Sequence, residues 1–555
     1  MLAVSVTAVA GWWWQSQPHR PPNVLIILWD TTRADRMSLY RYDLETTPRM
    51  AAWANENGVV FENAISPDMW TVPSHASLFT GLAPGTHGAG FDHRWLDDDK
   101  LTLAEWFGEH GWDTYAFSAN PNLSPKRVNL LQGFGEIDTS WSKEWRDAVV
   151  SHTKEKLIRQ DASTEISPKF PGRQHSVGFY NAGPIAHDAF VQWLDQRPAQ
   201  DKPFFVYLSY MEAHKPRVPL LENRRKLADD DTVRLGLKTD LSFKNQLLYS
   251  YDKLSYTPEE LTAISRVYDA SLIDLDNATA DLLDDLKARG VLDDTIVVFT
   301  ADHGEQLGEH QQFGHRSGIY QALLHVPLVI AYPKGLEPKH VKSAVTNLGV
   351  FDTVVQLAGL PRPGTGQVEG NLAALEEGVR AIFSETLSID KEGFGKVRKL
   401  YPDIGRDVWA NTYRSVVFGN HKLIETVSYD THELVHCQLF DLDADPMETK
   451  DLFAERAEVS RDLIARAEAW KAAQVPWDPS KADQVDSSLS DAERRQLALL
   501  GYIEEDCTNG TDDDEDDLVD CDDDGCESNP ACAGHAPKVT REETPASAGN
   551  RCVLP

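Results

Sequence analysis

The hydroxyl of Thr71 lies at the head of a stretch, Trp70-Thr71-Val72-Pro73-Ser74-His75-Ala76-Ser77-Leu78-Phe79-Thr80-Gly81, that reads as a turn feeding a helix. Pro73 suits a first helical turn, Ala76, Leu78 and Phe79 follow as apolar residues, and Gly81 suits the end. A hydroxyl just before that helix would meet unpaired backbone N–H groups and the positive end of the helix dipole. Such a place binds a tetrahedral anion and suits a nucleophile that attacks one. An ordinary capped helix accounts for the same residues.

Two further runs end in acids. Asn23-Val24-Leu25-Ile26-Ile27-Leu28-Trp29-Asp30 and Asp294-Thr295-Ile296-Val297-Val298-Phe299-Thr300-Ala301-Asp302-His303-Gly304-Glu305 are apolar stretches closed by Asp30 and by Asp302-His303. Continuous apolar runs of this length read as strands buried on both faces of a parallel sheet. Catalytic groups of open α/β sheets lie beyond the carboxyl ends of strands, where both acids fall. A strand-ending Asp also serves as a plain helix cap.

The Thr71 stretch resembles the signature of the sulfatase family, within the alkaline-phosphatase superfamily: nucleophile, any residue, Pro, Ser, a basic residue, then Leu and Thr-Gly. Val72, Pro73, Ser74, Leu78, Thr80 and Gly81 match in register. The family's nucleophile is a Cys or Ser converted to formylglycine, and here it is Thr71; the basic residue, usually Arg, is His75. Thr cannot become formylglycine, because its β-carbon carries a methyl group.

Asn23–Asp30, followed by Arg33, Ala34 and Asp35, resembles the opening strand of sulfatases, and Asp302-His303-Gly304 is a second strong match. The resemblance implies one divalent metal held by Asp30, Thr71, Asp302 and His303. Where many members have a second acid after the first, this chain has Thr31. A mixed nitrogen and oxygen set suits Zn²⁺ or Mn²⁺ better than Ca²⁺ or Mg²⁺. His214 matches a substrate-binding histidine, and His315 stands where sulfatases have a Lys touching the leaving oxygen. After the strand near Gly111–Phe117 sulfatases carry a Lys and a His; this chain offers Ser118-Ala119-Asn120-Pro121-Asn122. Asn120 and Arg33 are thus the expected substrate contacts, with Thr71, His75, His214 and His315 as the catalytic set.

The implied chemistry is in-line attack by Thr71 on phosphorus or sulfur, then release of the covalent ester by water. His214 and His315 would protonate the leaving oxygen or bind the non-bridging ones. A formylglycine hydrate expels sulfate by collapsing to the aldehyde, and a threonine ester has no such exit. Phosphoester hydrolysis is therefore the favoured reading. The alternatives are a true sulfuric-ester hydrolase, a phospho-group transferase, and a non-catalytic metal-binding protein.

These residues need a scaffold. The resemblance covers about residues 23 to 475 and implies an α/β fold: an alkaline-phosphatase/sulfatase-like central, mostly parallel sheet flanked by helices, with a smaller C-terminal α+β subdomain and a Cys/Asp-rich tail. The expected boundaries are residues 1–22 for a leader or membrane-proximal segment, 23–375 for the catalytic domain, 376–502 for the subdomain and 503–555 for the tail. Phe204–Tyr210 and Val326–Ile330 are further buried strands, and Pro258–Arg289 is an amphipathic helix stopped by Gly290. Residues 140–200 and 220–258 are polar and weakly periodic, and read as insertions around the site. Arg414–Phe418, Lys422–Glu425 and Gln438–Asp441 read as antiparallel strands, the first pair joined by Gly419-Asn420, ahead of a helix Ala454–Trp470 and another over 490–502.

The net charge of −33 argues against nucleic acid as a partner. Any anionic substrate must therefore be met by a local positive group such as a metal, and the resemblance implies a small-molecule, glycan-linked or lipid-linked phosphate or sulfate ester. Fourteen of the acidic residues fall between Glu504 and Glu527. There the run around Cys507, Cys521 and Cys526 resembles Asp/Cys metal-binding repeats of secreted bacterial proteins, which would hold calcium; a disordered acidic tail is the alternative. Five of the six cysteines lie in this tail and only Cys437 in the body, the usage of a disulfide-stapled module in an oxidising compartment. Export is the expectation: periplasmic, cell-surface or secreted. Met1–Trp14 is apolar but too short to span a bilayer, and leaves membrane or cell-surface association open.

Overall fold

Alternation within one strand explains the two-sided core. In Asn23–Trp29, Val24, Ile26 and Leu28 face one apolar layer, while Leu25, Ile27 and Trp29 face the other. Successive side chains of a strand point to opposite faces, so a run apolar at every position must be covered on both. The computed structural model describes residues 20–158, 181–364, 371–372, 378–391 and 409–483. The leader, the helix expected over 490–502 and the acidic tail lie outside these residues.

Asn23–Trp29 lies inside an eight-stranded sheet. In order across the sheet the strands are Lys339–Val341, Gly58–Phe61, Leu328–Ala331, Thr295–Thr300, Asn23–Trp29, Phe204–Tyr210, Asp113–Ser118 and Glu136–Thr139. Leu328–Ala331 is antiparallel to both its neighbours, and every other pairing is parallel. The parallel neighbours Thr295–Thr300, Asn23–Trp29 and Phe204–Tyr210 therefore end together, which brings Asp30, Asp302 and His214 to one edge.

The 31-residue helix Pro258–Ala288 covers one face. Its start is fixed by a capping box, in which Thr257 and Glu260 bond each other's backbone N–H groups. Ile264, Tyr268, Leu272, Leu275, Leu282 and Leu286 are buried along it, and Trp29 Nε1 donates to Thr279 Oγ1 at 2.8 Å to lock it to the sheet. Gly183–Gln196 packs on the same face, with Phe190 and Trp193 in the core. That segment is thus part of the sheet's cover and not an insertion. Residues 220–250 also form helices, Leu221–Leu227, Asp230–Lys238 and Phe243–Ser250, despite their polar composition.

The C-terminal sheet has four antiparallel strands, Ala381–Thr386, Asn411–Phe418, His421–Ser428 and Leu434–Asp441. The expected hairpin at Gly419-Asn420 is present, with Gly419 at φ +63°. The first strand was not legible in the sequence. Helix Ala457–Ala473 covers this sheet over a small core that includes Cys437. Lys422, fully buried, pairs with Glu448 at 2.8 Å and donates to the Ile319 carbonyl at 2.7 Å. That bond ties the subdomain to the loop carrying His315.

Candidate active site

Three strand-end side chains converge. Asp30, Asp302 and His303 are all buried and offer ligand atoms that lie within 4.8 Å of one another. His303 Nδ1 faces the Gly304 carbonyl at 2.8 Å, so it carries the proton and Nε2 presents its lone pair. That lone pair stands 3.3 Å from Asp302 Oδ2. Asp302 Oδ1 accepts from the backbone N–H groups of His303 and Thr31, which aims Oδ2 inward. Asp30 Oδ1, Asp302 Oδ2 and Thr31 Oγ1 are buried without hydrogen-bond partners. Burial and the neighbouring Asp302 charge hold the Asp30 carboxyl well above the usual carboxylate range. Facing acceptors with no donor between them are costly unless a cation joins them, so the residues present fit a divalent metal.

Thr71 completes the cluster. It is the first residue of helix Thr71–Thr80, with Trp70 as the cap, so it lies inside the helix and not just before it. Its Oγ1 is 3.5 Å from His303 Nε2. Gly81 ends the helix at φ +69°, the left-handed turn that glycine adopts without strain. Ser66 Oγ, on the loop before the helix, bonds the Asp302 carbonyl and lies 3.3 Å from Ser74 Oγ. The Thr71 helix and the Asp302 loop are thereby joined.

His75 lies one turn on from Thr71 and is fully buried. Its Nδ1 donates to the Thr71 carbonyl at 2.8 Å, and its Nε2 accepts from the Tyr207 hydroxyl at 2.7 Å. Both nitrogens are engaged, and burial holds the imidazole below its ordinary range, so it is neutral. With Nδ1 3.6 Å from Asp302 Oδ2, it braces Thr71 and Asp302 from beneath.

Along one side of the cluster the rings of His303, His315 and His214 follow in sequence, with centroids 4.4 Å and 5.3 Å apart. His315 Nδ1 pairs with Glu305 Oε2 at 3.0 Å, and Glu305 Oε1 takes Arg217 Nη2 at 3.2 Å. Burial lowers the His315 imidazole to about 4, so it is neutral with Nε2 open. His214 Nδ1 donates to the Lys215 carbonyl at 2.6 Å, which fixes the ring beside His315.

Two expected substrate contacts are occupied elsewhere. Asn120 Nδ2 donates to Asp30 Oδ2 at 2.6 Å, and its Oδ1 accepts from the Asn122 N–H. In the structure it orients the Asp30 carboxylate. Arg33 is buried in a fork with Asp35, pairs with Glu309 at 2.7 Å and donates to the Glu305 carbonyl. It is a structural clamp, because four of its five N–H donors are used within the fold.

Sequence reading missed Tyr207, Lys215, Arg217 and Glu305. Glu305 and Lys215 each adjoin a motif residue, and that adjacency was their only signal. Tyr207 lies mid-strand in an apolar run, where nothing marks a hydroxyl that crosses to His75.

A mostly parallel sheet with acids at its strand ends, a helix opening on a buried threonine and a small antiparallel subdomain defines an ester hydrolase of the sulfatase type. The match to the Sulfatase family covers residues 22–360, more than half of the chain, and this protein belongs to that family. The N-sulphoglucosamine sulphohydrolase C-terminal region matches residues 308–472. Arylsulfatase K of Bos taurus is 25% identical over 469 residues, which is 80% of each chain. Ulvan-active sulfatase of Formosa agariphila is 26% identical over 353 residues, 62% of each chain. Among solved structures, phosphonate monoester hydrolase of Agrobacterium radiobacter superposes with a TM-score of 0.60 at 21% identity, over 84% of this chain and 99% of its own. A structure in complex with D-glucosamine-2-N,6-O-disulfate gives 0.58 at 19%, over 81% and 98%. Both share the fold. Among the described residues, no helix is long and apolar enough to cross a membrane.

Proposed function

We propose that this enzyme cleaves phosphate or sulfate esters through a covalent Thr71 intermediate, with phosphoesters the favoured substrates. The observation that carries the reading is Thr71 Oγ1 at 3.5 Å from His303 Nε2, on the first turn of a helix and beside two unpartnered carboxylate oxygens. Asp30, Asp302, His303 and Thr71 would hold one divalent metal, and the mixed donor set favours Zn²⁺ or Mn²⁺. Bound there, the metal would lower the pKa of the Thr71 hydroxyl and shield the charge of the ester.

The chain's own residues do the rest. His315 Nε2 takes the Thr71 proton while Oγ1 bonds to phosphorus and the ester P–O bond breaks. Glu305, on Nδ1, steadies the imidazolium so formed. The proton passes to the leaving oxygen, and His214 contacts the group being transferred. Water then attacks the phosphothreonine, His315 accepts its proton and returns it to Thr71. Because Thr71 cannot supply the aldehyde exit, both steps occur at phosphorus or sulfur.

A second reading, cleavage of sulfate esters, is favoured by the names of the arylsulfatase and ulvan-active relatives. Assaying nitrophenyl phosphate, bis(nitrophenyl) phosphate and nitrophenyl sulfate side by side divides the two. Thr71→Ala should abolish turnover on the preferred ester while bound metal is retained; unchanged turnover rejects the mechanism. We place the protein outside the cytoplasm, on the clustered cysteines of the tail.

A further inference from the structure

Lys215 follows His214 beyond the end of strand Phe204–Tyr210, and the carboxylate set against its ammonium, Glu305, is shared with Arg217. Among the described residues the ammonium makes neither an ion pair nor a hydrogen bond. The charged groups around it are already matched. Glu305 is taken by Arg217 on one oxygen and by His315 on the other, and Arg316 pairs with Asp390. A neutral His214 adds no counter-charge, because burial holds its imidazole well below the ordinary range. The side of the site that holds the His315–Glu305 pair therefore carries one surplus positive charge, in a chain whose net charge is −33.

Its position is equally specific. A Cβ built on Gly314 would stand 3.8 Å from Lys215 Nζ and 3.9 Å from Glu305 Oε1. The ammonium thus lies over the residue that precedes His315, on the side of the His315–Glu305 pair. Lys215 as a residue is only half-buried, so it is not sealed within the core. Partial removal from water lowers the amine to about 7. Holding an unmatched ammonium there costs free energy unless an anion arrives from solution to meet it.

We propose that Lys215 is a substrate-binding residue whose ammonium takes the anionic oxygens of the ester group that Thr71 attacks. The assignment of those oxygens rests on the function proposed above, but the anion site itself does not depend on turnover. Inorganic phosphate and sulfate are accordingly the probes, titrated calorimetrically into the full-length, metal-loaded protein.

Lys215→Met should weaken phosphate binding by about tenfold or more, the scale of a lost hydrogen bond to a charged group. It should raise KM for the preferred nitrophenyl ester by a similar factor, with metal content unchanged. Lys215→Arg, which keeps the charge, should recover most of the affinity. In the unmutated protein, phosphate should slow acylation of Lys215, read by peptide mass, and this needs no variant to fold. Wild-type anion affinity in Lys215→Met, no anion binding by the wild type, or Lys215 acylation indifferent to phosphate would each overturn the proposal. A wild type that binds phosphate through Lys215 yet hydrolyses none of the three esters would sink the proposed function and leave this site standing. Active wild type with an unaltered Lys215→Met does the reverse.

Discussion

Asn120 Nδ2 donates to Asp30 Oδ2 at 2.6 Å, which turns Asp30 Oδ1 toward Asp302 and His303. An outer partner of this kind fixes a ligand's orientation and its basicity. Asn120→Ala should therefore weaken metal affinity by ~10–100-fold. Competition with a chromogenic chelator reads this directly. Unchanged metal affinity would mean that Asp30 needs no such support.

Asp302 has a larger part. Its Oδ2 has no hydrogen-bond partner, while Oδ1 is spent on the Thr31 and His303 N–H groups. Asp302→Asn preserves shape but places an amide against His303 Nε2. The expected result is loss of bound metal on dialysis, measured by elemental analysis, with the fold retained by circular dichroism. Full metal content in this variant would rule out the ligand set.

Tyr207 holds His75, and His75 holds the first turn of the nucleophile helix. Tyr207→Phe leaves a buried imidazole nitrogen without a donor, at a cost of ~1–3 kcal/mol in stability. Denaturant unfolding should show that loss. Turnover should fall with KM little changed, since Thr71 is displaced and not removed. A variant as stable and active as the parent would contradict the bracing role.

His87 makes stability depend on pH. Its Nδ1 accepts from the Ala89 N–H at 3.0 Å and its Nε2 meets Ser77 Oγ at 3.1 Å, so the folded ring has no room for a second proton. Burial lowers it to about 3, against 6.5 in the unfolded chain. The unfolded state thus binds the extra proton first, and stability falls as pH drops from 6.5 toward 3. The slope is about 1.4 kcal/mol per pH unit for one such group. His87→Gln should remove that part of the acid sensitivity in unfolding curves taken from pH 7 to 5. An identical slope would assign the sensitivity elsewhere.

Much of the site was legible because its chemistry sits at strand ends. The apolar runs before Asp30 and Asp302 and the Pro-Ser stretch after Thr71 carry their own punctuation, and the two runs lie side by side as parallel strands. The substrate wall was less legible. Arg33 and Asn120 occupy motif positions, yet their partners, Glu309 and Asp30, come from remote segments that spacing along the chain does not reveal. Tyr207 and Lys215 depend likewise on tertiary neighbours. The polar helices of residues 220–250 were missed for a related reason. Asp230–Lys238 buries only Val233, and the buried positions of Phe243–Ser250 include the polar Gln246 and Ser250, so a polar composition hides both helices.

The central claim is that Thr71 itself carries the transferred group. Acid-quenching the enzyme during turnover of its preferred nitrophenyl ester, then mapping peptides by mass spectrometry, tests it most directly. The account predicts one phosphoryl or sulfuryl group on the peptide bearing Thr71, absent from Thr71→Ala and lost when substrate is exhausted. Steady turnover with that peptide unmodified, or with the group on another residue, would contradict it.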